Sequence, residues 1–317
     1  MKTLLITRPI AEPVLDQARG LFEVTLGNAP LTEDQAAAAL GAYDLILPTL
    51  GDAFTAAAFA KAGPNPRARM LGNFGVGYSH IDAVAAAAHG VAVSNTPDVL
   101  TDATADIGWT LILSTARRAG EGERMLRAGQ WGGFGPKGML GTHVTGKVLG
   151  VIGMGRIGQA VAKRGHYGFD MPVIYYNRSR KAVDLPARQV DSLHDLMAEA
   201  DFVVITVPGG AENTNLVDAA AIAAMKPSGI LVNIARGEVV DEEALIEALE
   251  NRRIAGAGLD VYVKEPFVPE RLRALENCVL LPHLGSATVE TRQAMAQMAL
   301  DNIIAFAEGR RPPQQVN

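Results

Sequence analysis

The chain predicts an α/β protein made of two doubly wound parallel-sheet (Rossmann-like) domains. Three observations carry that expectation. Short apolar runs alternate with helical stretches through the first hundred residues, the alternation resumes near residue 148 and runs to about 283, and a glycine loop flanked by strand and helix opens the second series. Continuous apolar strands between helices belong to a parallel sheet covered on both faces. At 317 residues the chain has room for about two domains of ~150 residues each.

Taken in order, Leu4-Leu5-Ile6 is a first strand, and residues 13–18 give a brief helix with Val14 and Leu15 inward. Phe22-Glu23-Val24-Thr25-Leu26 alternates as a strand. Thr32 caps a helix over 33–40, with acids in its first turn. Asp44-Leu45-Ile46-Leu47, Met70-Leu71-Gly72-Asn73-Phe74 and Val91-Ala92-Val93-Ser94 are further strands, the last two separated by an alanine-rich helix near 81–88. Asn95-Thr96-Pro97 breaks the pattern. One long helix from about 98 to 128 and a glycine-rich loop over 129–146 follow. A final helix over 287–307 is free to return to the first domain.

Composition narrows the function classes. Twenty-nine basic against 34 acidic residues leave a net charge of −5, which argues against a nucleic-acid binder. The single Cys278 cannot form an internal disulfide, and no cysteine cluster offers a metal site, so no metal is expected. The first residues lack a signal-peptide apolar stretch, and no run approaches the ~18 apolar residues of a membrane span. The expectation is a cytoplasmic protein without membrane partners.

The 33 glycines are best read by context. Gly133-Phe134-Gly135-Pro136-Lys137-Gly138 fits G-x-G-x-x-G, but no strand precedes it and Pro136 removes an amide donor. Residues 141–147 imitate a Walker loop, with Val148 where magnesium binding needs Ser or Thr. Gly153-Met154-Gly155-Arg156-Ile157-Gly158 follows the strand 148–152 and opens a helix. There, Gly153 permits the tight turn, Gly155 the approach of a pyrophosphate, and Gly158 close helix–strand packing. Helix N-terminal amides would face the phosphates.

The next strand, Pro172-Val173-Ile174-Tyr175-Tyr176, runs into Asn177-Arg178-Ser179-Arg180-Lys181. An NAD site usually has an acid at this point for the ribose 2′-hydroxyl. A carboxylate about 4 Å from a 2′-phosphate would cost on the order of 1–4 kcal/mol. Its absence beside three cations points to NADP(H), with NADPH preferred over NADH.

Three later strands end on candidate reactive groups. Residues 230–235 lead to Arg236, 257–262 to Glu265, and 279–282 to His283. Ligands of an open parallel sheet sit outside the carboxyl ends of its strands. Histidine supplies the proton that a developing alkoxide needs, and a neighbouring carboxylate favours its charged form. Arginine grips a carboxylate bidentately and polarises the adjacent carbonyl. Together they describe reduction of a 2-keto acid to a 2-hydroxy acid. Of the other histidines, His194 reads as solvated, and His80 stands out only because it follows a glycine loop.

With these motifs, residues 95–103, Asn233-Ile234-Ala235-Arg236-Gly237, Val240-Asp241-Glu242-Glu243-Ala244-Leu245, Gly258-Leu259-Asp260-Val261 and residues 281–288 make the chain resemble the D-isomer-specific 2-hydroxyacid dehydrogenases over nearly its whole length. The last stretch and the basic turn are similar to the glyoxylate/hydroxypyruvate reductase branch. The resemblance implies Arg236 as substrate clamp, Glu265 as partner and His283 as acid/base. It implies substrate binding by the backbone amides of Val76 and Gly77, with Leu50 and Gly51 approaching as well. Thr104, Pro208 and Asp260, the last at the nicotinamide carboxamide, would join the glycine loop with its Arg156 and Ile157 in holding cofactor. Val207, Ala235 and Gly285 belong to the same expected cofactor set.

The resemblance further implies a cofactor domain (98–283) inserted into a flavodoxin-like substrate domain (1–97 and 284–317), with 98–146 forming the arm of a homodimer. Trp131, Phe134 or Met139 would be the aromatic or apolar group that narrows the partner's pocket. Thr206-Val207-Pro208-Gly209-Gly210 departs from the family's usual Pro-Leu-Thr wording, and Glu265 in place of glutamine argues against the related formate dehydrogenases. The expected activity is NADPH-dependent reduction of glyoxylate and hydroxypyruvate. The alternatives are the same chemistry on a larger 2-keto acid, such as phenylpyruvate or a branched-chain acid, and a dinucleotide-sensing, corepressor-like interaction protein.

Overall fold

The computed structural model describes residues 1–317, which divide into two compact units: Met1–Leu100 with Ala287–Asn317, and Thr101–Ser286. The boundaries thus lie at 100 and 286, where 97 and 283 are expected.

The first unit holds five strands: β1 (Thr3–Ile6), β2 (Glu23–Leu26), β3 (Leu45–Leu47), β4 (Met70–Gly72) and β5 (Ala92–Ser94). All pair in parallel in the order β2-β1-β3-β4-β5, the doubly wound order of flavodoxin-like sheets. Alternate residues face opposite ways along a strand, which builds two cores from one sheet. Leu5, Ile46, Leu71 and Val93 pack against α2 (Glu33–Ala42), α3 (Ala56–Ala62) and α4 (Ala83–Ala88). Leu4, Ile6, Leu45, Leu47 and Met70 face α1 (Glu12–Leu21) and the last helix, Val289–Ala307. That helix packs on this sheet. A Cβ on Gly72 would meet Ile303 at 2.6 Å, so glycine is what lets helix and strand approach. Thr32 forms a capping box with Gln35 at the start of α2.

The second unit begins with α5 (Thr101–Ala116) and α6 (Ala119–Arg127), not the single helix over 98–128 that the sequence suggests. The break has a local cause. Arg118 adopts a left-handed φ of 52°, its guanidinium holding Glu121 and the Leu140 carbonyl, while Thr142 donates its amide to the Ala116 carbonyl at 2.7 Å. A Cβ on Gly141 would lie 2.3 Å from that carbonyl. The returning loop thus takes the carbonyl that would otherwise continue the helix.

Within the segment expected as an arm, the two helices differ in burial. Ala105, Trp109, Leu111, Ile112 and Ala116 of α5 lie in the unit's own core, and Trp109 stacks on Phe169 with ring centroids 4.4 Å apart. Helix α6 buries none of its residues.

Seven parallel strands follow: β6 (Leu149–Ile152), β7 (Val173–Tyr176), β8 (Ala187–Gln189), β9 (Phe202–Ile205), β10 (Ile230–Asn233), β11 (Gly256–Leu259) and β12 (Cys278–Leu280). Their order, β12-β11-β10-β9-β6-β7-β8, read from the other edge is the Rossmann 3-2-1-4-5-6 with a seventh strand added. Helices α7 (Arg156–Phe169) and α5 cover one face, whereas α8 (Leu193–Glu199), α9 (Ala219–Ala224) and α10 (Glu242–Glu250) cover the other. The short α11 (Glu270–Arg273) precedes β12, and α12 is the Val289–Ala307 helix of the first unit. No helix is long and apolar enough to cross a membrane.

Candidate active site

The order reversal between β6 and β9 sets a crevice at the carboxyl end of β6, where the glycine loop stands. Gly153 has φ 96°, and a Cβ there would meet Val207 at 2.8 Å. A Cβ on Gly158 would lie 2.1 Å from the Gly153 carbonyl, so the helix can start only without one. Gly155 differs: it is the N-cap of α7, no side chain caps the helix, and a Cβ would find nothing within 4 Å. An open face over uncapped helix amides fits a pyrophosphate. Arg156 and Ile157 begin the helix, Arg156 exposed.

Asn177 follows β7 and organises the turn beyond it. Its Oδ1 accepts the Met154 amide at 3.3 Å and its Nδ2 donates to the Ser179 carbonyl at 2.7 Å, which ties this turn to the glycine loop. Arg178, Ser179 and Arg180 are exposed. The departure at 206–210 has its own logic: the Thr206 hydroxyl donates to the Gly153 carbonyl, Val207 packs on Gly153, and the Pro208 carbonyl accepts from Asn213.

At the ends of β10, β11 and β12 the reactive groups are held from several sides. Buried Asn233 accepts the Ala235 amide at 3.0 Å and donates to the Arg236 carbonyl at 2.9 Å, fixing the backbone that carries the guanidinium. A Cβ on Gly237 would fall 2.0 Å from the Tyr262 carbonyl carbon, so only glycine lets the Arg236 loop pass the exit of β11. Burial pushes the Arg236 guanidinium down from its ordinary value, against the charges of Glu238 and Glu265.

His283 Nδ1 lies 2.8 Å from Glu265 Oε2. Because a carboxylate only accepts, Nδ1 carries the shared hydrogen. Burial would raise the Glu265 carboxyl, but the hydrogen bond and charge of His283, the Tyr262 amide at 3.1 Å and the Arg236 charge together hold it below its usual value. His283 sits at φ 54°, a left-handed conformation that a β-branched residue would resist.

Asp260, 1% exposed, sustains that turn: its two oxygens accept the amides of Leu284 at 2.6 Å and Gly285 at 2.8 Å, while its carbonyl accepts the His283 amide. Burial nonetheless raises the Asp260 carboxyl. Thr104 of α5 packs by Gly285, which brings both expected cofactor residues beside Asp260. Asn233 lies in the 233–237 motif, but its hold on the Arg236 backbone is not legible there, and Tyr262 and Glu238, within three residues of Glu265 and Arg236, carry no motif of their own.

The remaining expected residues lie elsewhere. Leu50, Gly51, Val76 and Gly77 belong to the first unit, on loops after β3 and β4. Gly51 has φ 97°, and buried Asp52 fixes its loop by accepting from Thr7 at 2.6 Å and the Thr49 amide at 2.7 Å. Trp131 and Phe134 are exposed, whereas Met139 is half-buried beside Gly122 of α6. His194 is exposed, and His89 and His166 sit against backbone carbonyls.

A Rossmann unit with this loop, and with arginine, carboxylate and histidine on its later strand ends, defines an oxidoreductase that uses a nicotinamide dinucleotide. Comparison with known proteins is specific. Residues 109–285 match the family model described as D-isomer specific 2-hydroxyacid dehydrogenase, NAD binding domain. A glyoxylate reductase of Thermococcus kodakarensis is 44% identical across 99% of this chain and 96% of its own. A solved Thermus thermophilus structure superposes with a TM-score of 0.92 at 40% identity, covering 99% of this chain and all of that one. An NADPH-dependent glyoxylate/hydroxypyruvate reductase of Sinorhizobium meliloti, solved with NADP and malonate, gives 0.88 at 34% identity over 99% and 96% of the two chains. The chain belongs to the D-isomer-specific 2-hydroxyacid dehydrogenase family.

Proposed function

We propose that the protein is an NADPH-dependent reductase of glyoxylate and hydroxypyruvate, forming glycolate and D-glycerate. The observation that carries this reading is the Glu265–His283 pair at 2.8 Å on the same strand-end rim as Arg236. Relatives that are glyoxylate reductases, one described as NADPH-dependent, support the substrate class.

When bound, the reduced nicotinamide supplies the hydride that reaches the keto carbon. Glu265 holds His283 through Nδ1, leaving Nε2 to give its proton to the developing alkoxide. Arg236 binds the substrate carboxylate and polarises the carbonyl. In the first unit, the amides of Val76 and Gly77 are the proposed anion-binding groups, with Leu50 and Gly51 as further substrate contacts.

The glycine loop, Thr104, Val207, Pro208, Ala235, Asp260 and Gly285 hold the cofactor, and Asn177, Arg178, Ser179 and Arg180 receive its 2′-phosphate. The first unit is then the substrate domain and the second the dinucleotide domain. A second copy of the chain covers α6 and the loop 129–146, where Leu126, Trp131, Phe134 and Leu140 are exposed.

The test is steady-state kinetics over a keto-acid panel with NADPH and with NADH. Glyoxylate and hydroxypyruvate should give the highest kcat/KM. A marked preference for phenylpyruvate or branched-chain keto acids would assign the site to larger substrates, and absence of turnover would favour a dinucleotide-sensing role. In Arg178→Ala, kcat/KM should fall about ten-fold more with NADPH than with NADH, matching one lost charge-assisted contact of about 1.5 kcal/mol. Equal losses would refute 2′-phosphate recognition.

A further inference from the structure

We propose that Asn73 and Asn95 are positioning residues that make the loop 75–77 an anion site by holding its carbonyls on the protein side. The Gly75 carbonyl accepts from Asn73 Nδ2 at 3.0 Å and from the Thr96 amide at 3.0 Å. The Val76 carbonyl accepts from Asn95 Nδ2 at 2.9 Å, and the Gly77 carbonyl from Asn73 Nδ2 at 3.1 Å. Every carbonyl of the loop is therefore engaged from within its own unit.

A trans peptide is planar, with its N–H opposite the preceding C=O. Turning these three carbonyls toward Asn73, Asn95 and Thr96 turns the amides of Val76, Gly77 and Tyr78 the other way. None of these three amides donates to a group of the chain. Convergent free N–H groups on neighbouring residues form the concavity in which backbone binds anions.

Asn73 is wholly buried, and its Nδ2 donates to two carbonyls at once while its Oδ1 meets no partner. Asn95 is braced in turn, its amide donating to the Gln314 carbonyl at 3.2 Å while Gln314 pairs with buried Asn302. The inference deepens the proposed function, since it rests on the reading that this loop takes the substrate carboxylate. It adds the side chains that set the loop and a third amide, that of Tyr78.

The experiment compares wild type, Asn73→Asp and Asn95→Ala by kcat and KM for glyoxylate, inhibition by oxamate, NADPH affinity and thermal unfolding. Asn73→Asp keeps the shape but sets a carboxylate against two carbonyl oxygens, and Asn95→Ala, at a half-buried position, serves if the first variant does not fold. KM and the oxamate inhibition constant should each rise at least ten-fold, with kcat and NADPH affinity within three-fold of wild type. Oxamate affinity within two-fold of wild type in a folded variant would overturn the proposal. So would a parallel fall of kcat and NADPH affinity, the mark of general structural damage. If wild type itself neither reduces glyoxylate nor binds oxamate, the functional reading fails first, an outcome visible without any variant.

Discussion

Gly155 and Gly158 stand three residues apart in one motif, yet their surroundings differ completely. Open space meets a Cβ at 155, whereas at 158 one would lie 2.1 Å from a carbonyl oxygen. Gly155→Ala should therefore leave unfolding almost unchanged, within the ~1 kcal/mol that an N-cap glycine is worth, while weakening NADPH binding at least ten-fold. Gly158→Ala should lower thermal stability outright. Calorimetry beside cofactor titration separates the two.

The Glu265–His283 pair carries the proposed proton transfer. On the proposed mechanism His283 gives its proton to the alkoxide, and Glu265 Oε2 holds the ring through Nδ1 at 2.8 Å. Because Glu265 is held below its usual value, it stays ionised throughout the neutral range. In Glu265→Ala kcat should fall at least about ten-fold, because the ring loses the acceptor that holds Nδ1. In His283→Ala kcat should drop by about 10²–10⁴. A kcat unchanged by Glu265→Ala would remove that residue from the proposed proton path.

Among the elements, strands were the most legible because apolar runs such as Leu45-Ile46-Leu47 are bounded by a proline or turn on the chain itself. Helix ends were less so. Gly120 and Gly122 are only weak breakers near Arg118, and the break between α5 and α6 comes from residues 140–142 folding back onto Ala116. Strand β8 also escapes sequence reading, since Ala187-Arg188-Gln189 is a short, half-exposed edge without an apolar signature.

Asp44 shows how elements are joined. Its carboxylate accepts from the Thr3 amide at 2.7 Å, the Thr3 hydroxyl at 2.9 Å and Arg67 at 2.9 and 3.1 Å, stitching the start of β1 to the approach to β4. Arg67 and the Thr3 amide hold this carboxyl well below the ordinary carboxylate range. A depressed carboxyl stabilises the fold fully above its unfolded value, roughly pH 4, and that contribution is lost as pH falls through the folded value. Asp44→Asn should thus cost about 1–3 kcal/mol at pH 7, with its deficit against wild type narrowing below about pH 4 in denaturant titrations. A deficit that does not change with pH would refute the assignment.

For the whole molecule, the open question concerns the surface of α6 and the loop 129–146. Helix α6 buries nothing, and Phe134 is 92% exposed with Trp131 at 59%. Large apolar groups gathered on one exposed segment mark an interaction surface. Light scattering should report a dimer for wild type, and the double variant Trp131→Ser, Phe134→Ser should shift it toward monomer. A wild-type monomer at micromolar concentration would exclude the arm as an interface.

Local signals were enough for the parallel α/β class, and they single out the glycine loop, Arg236, Glu265 and His283 as candidates, because each depends on neighbours along the chain: strand before, helix after, reactive residue at a strand end. Folding alone decided which groups meet. Asp260 clasps the His283 turn, Asn233 sets the Arg236 backbone, Asn73 and Asn95 face the loop 75–77, and the last helix completes the first sheet. Those contacts join residues brought together by sheet order and backbone turns, and a hydrogen bond depends on distance in space, which residue type and spacing do not encode.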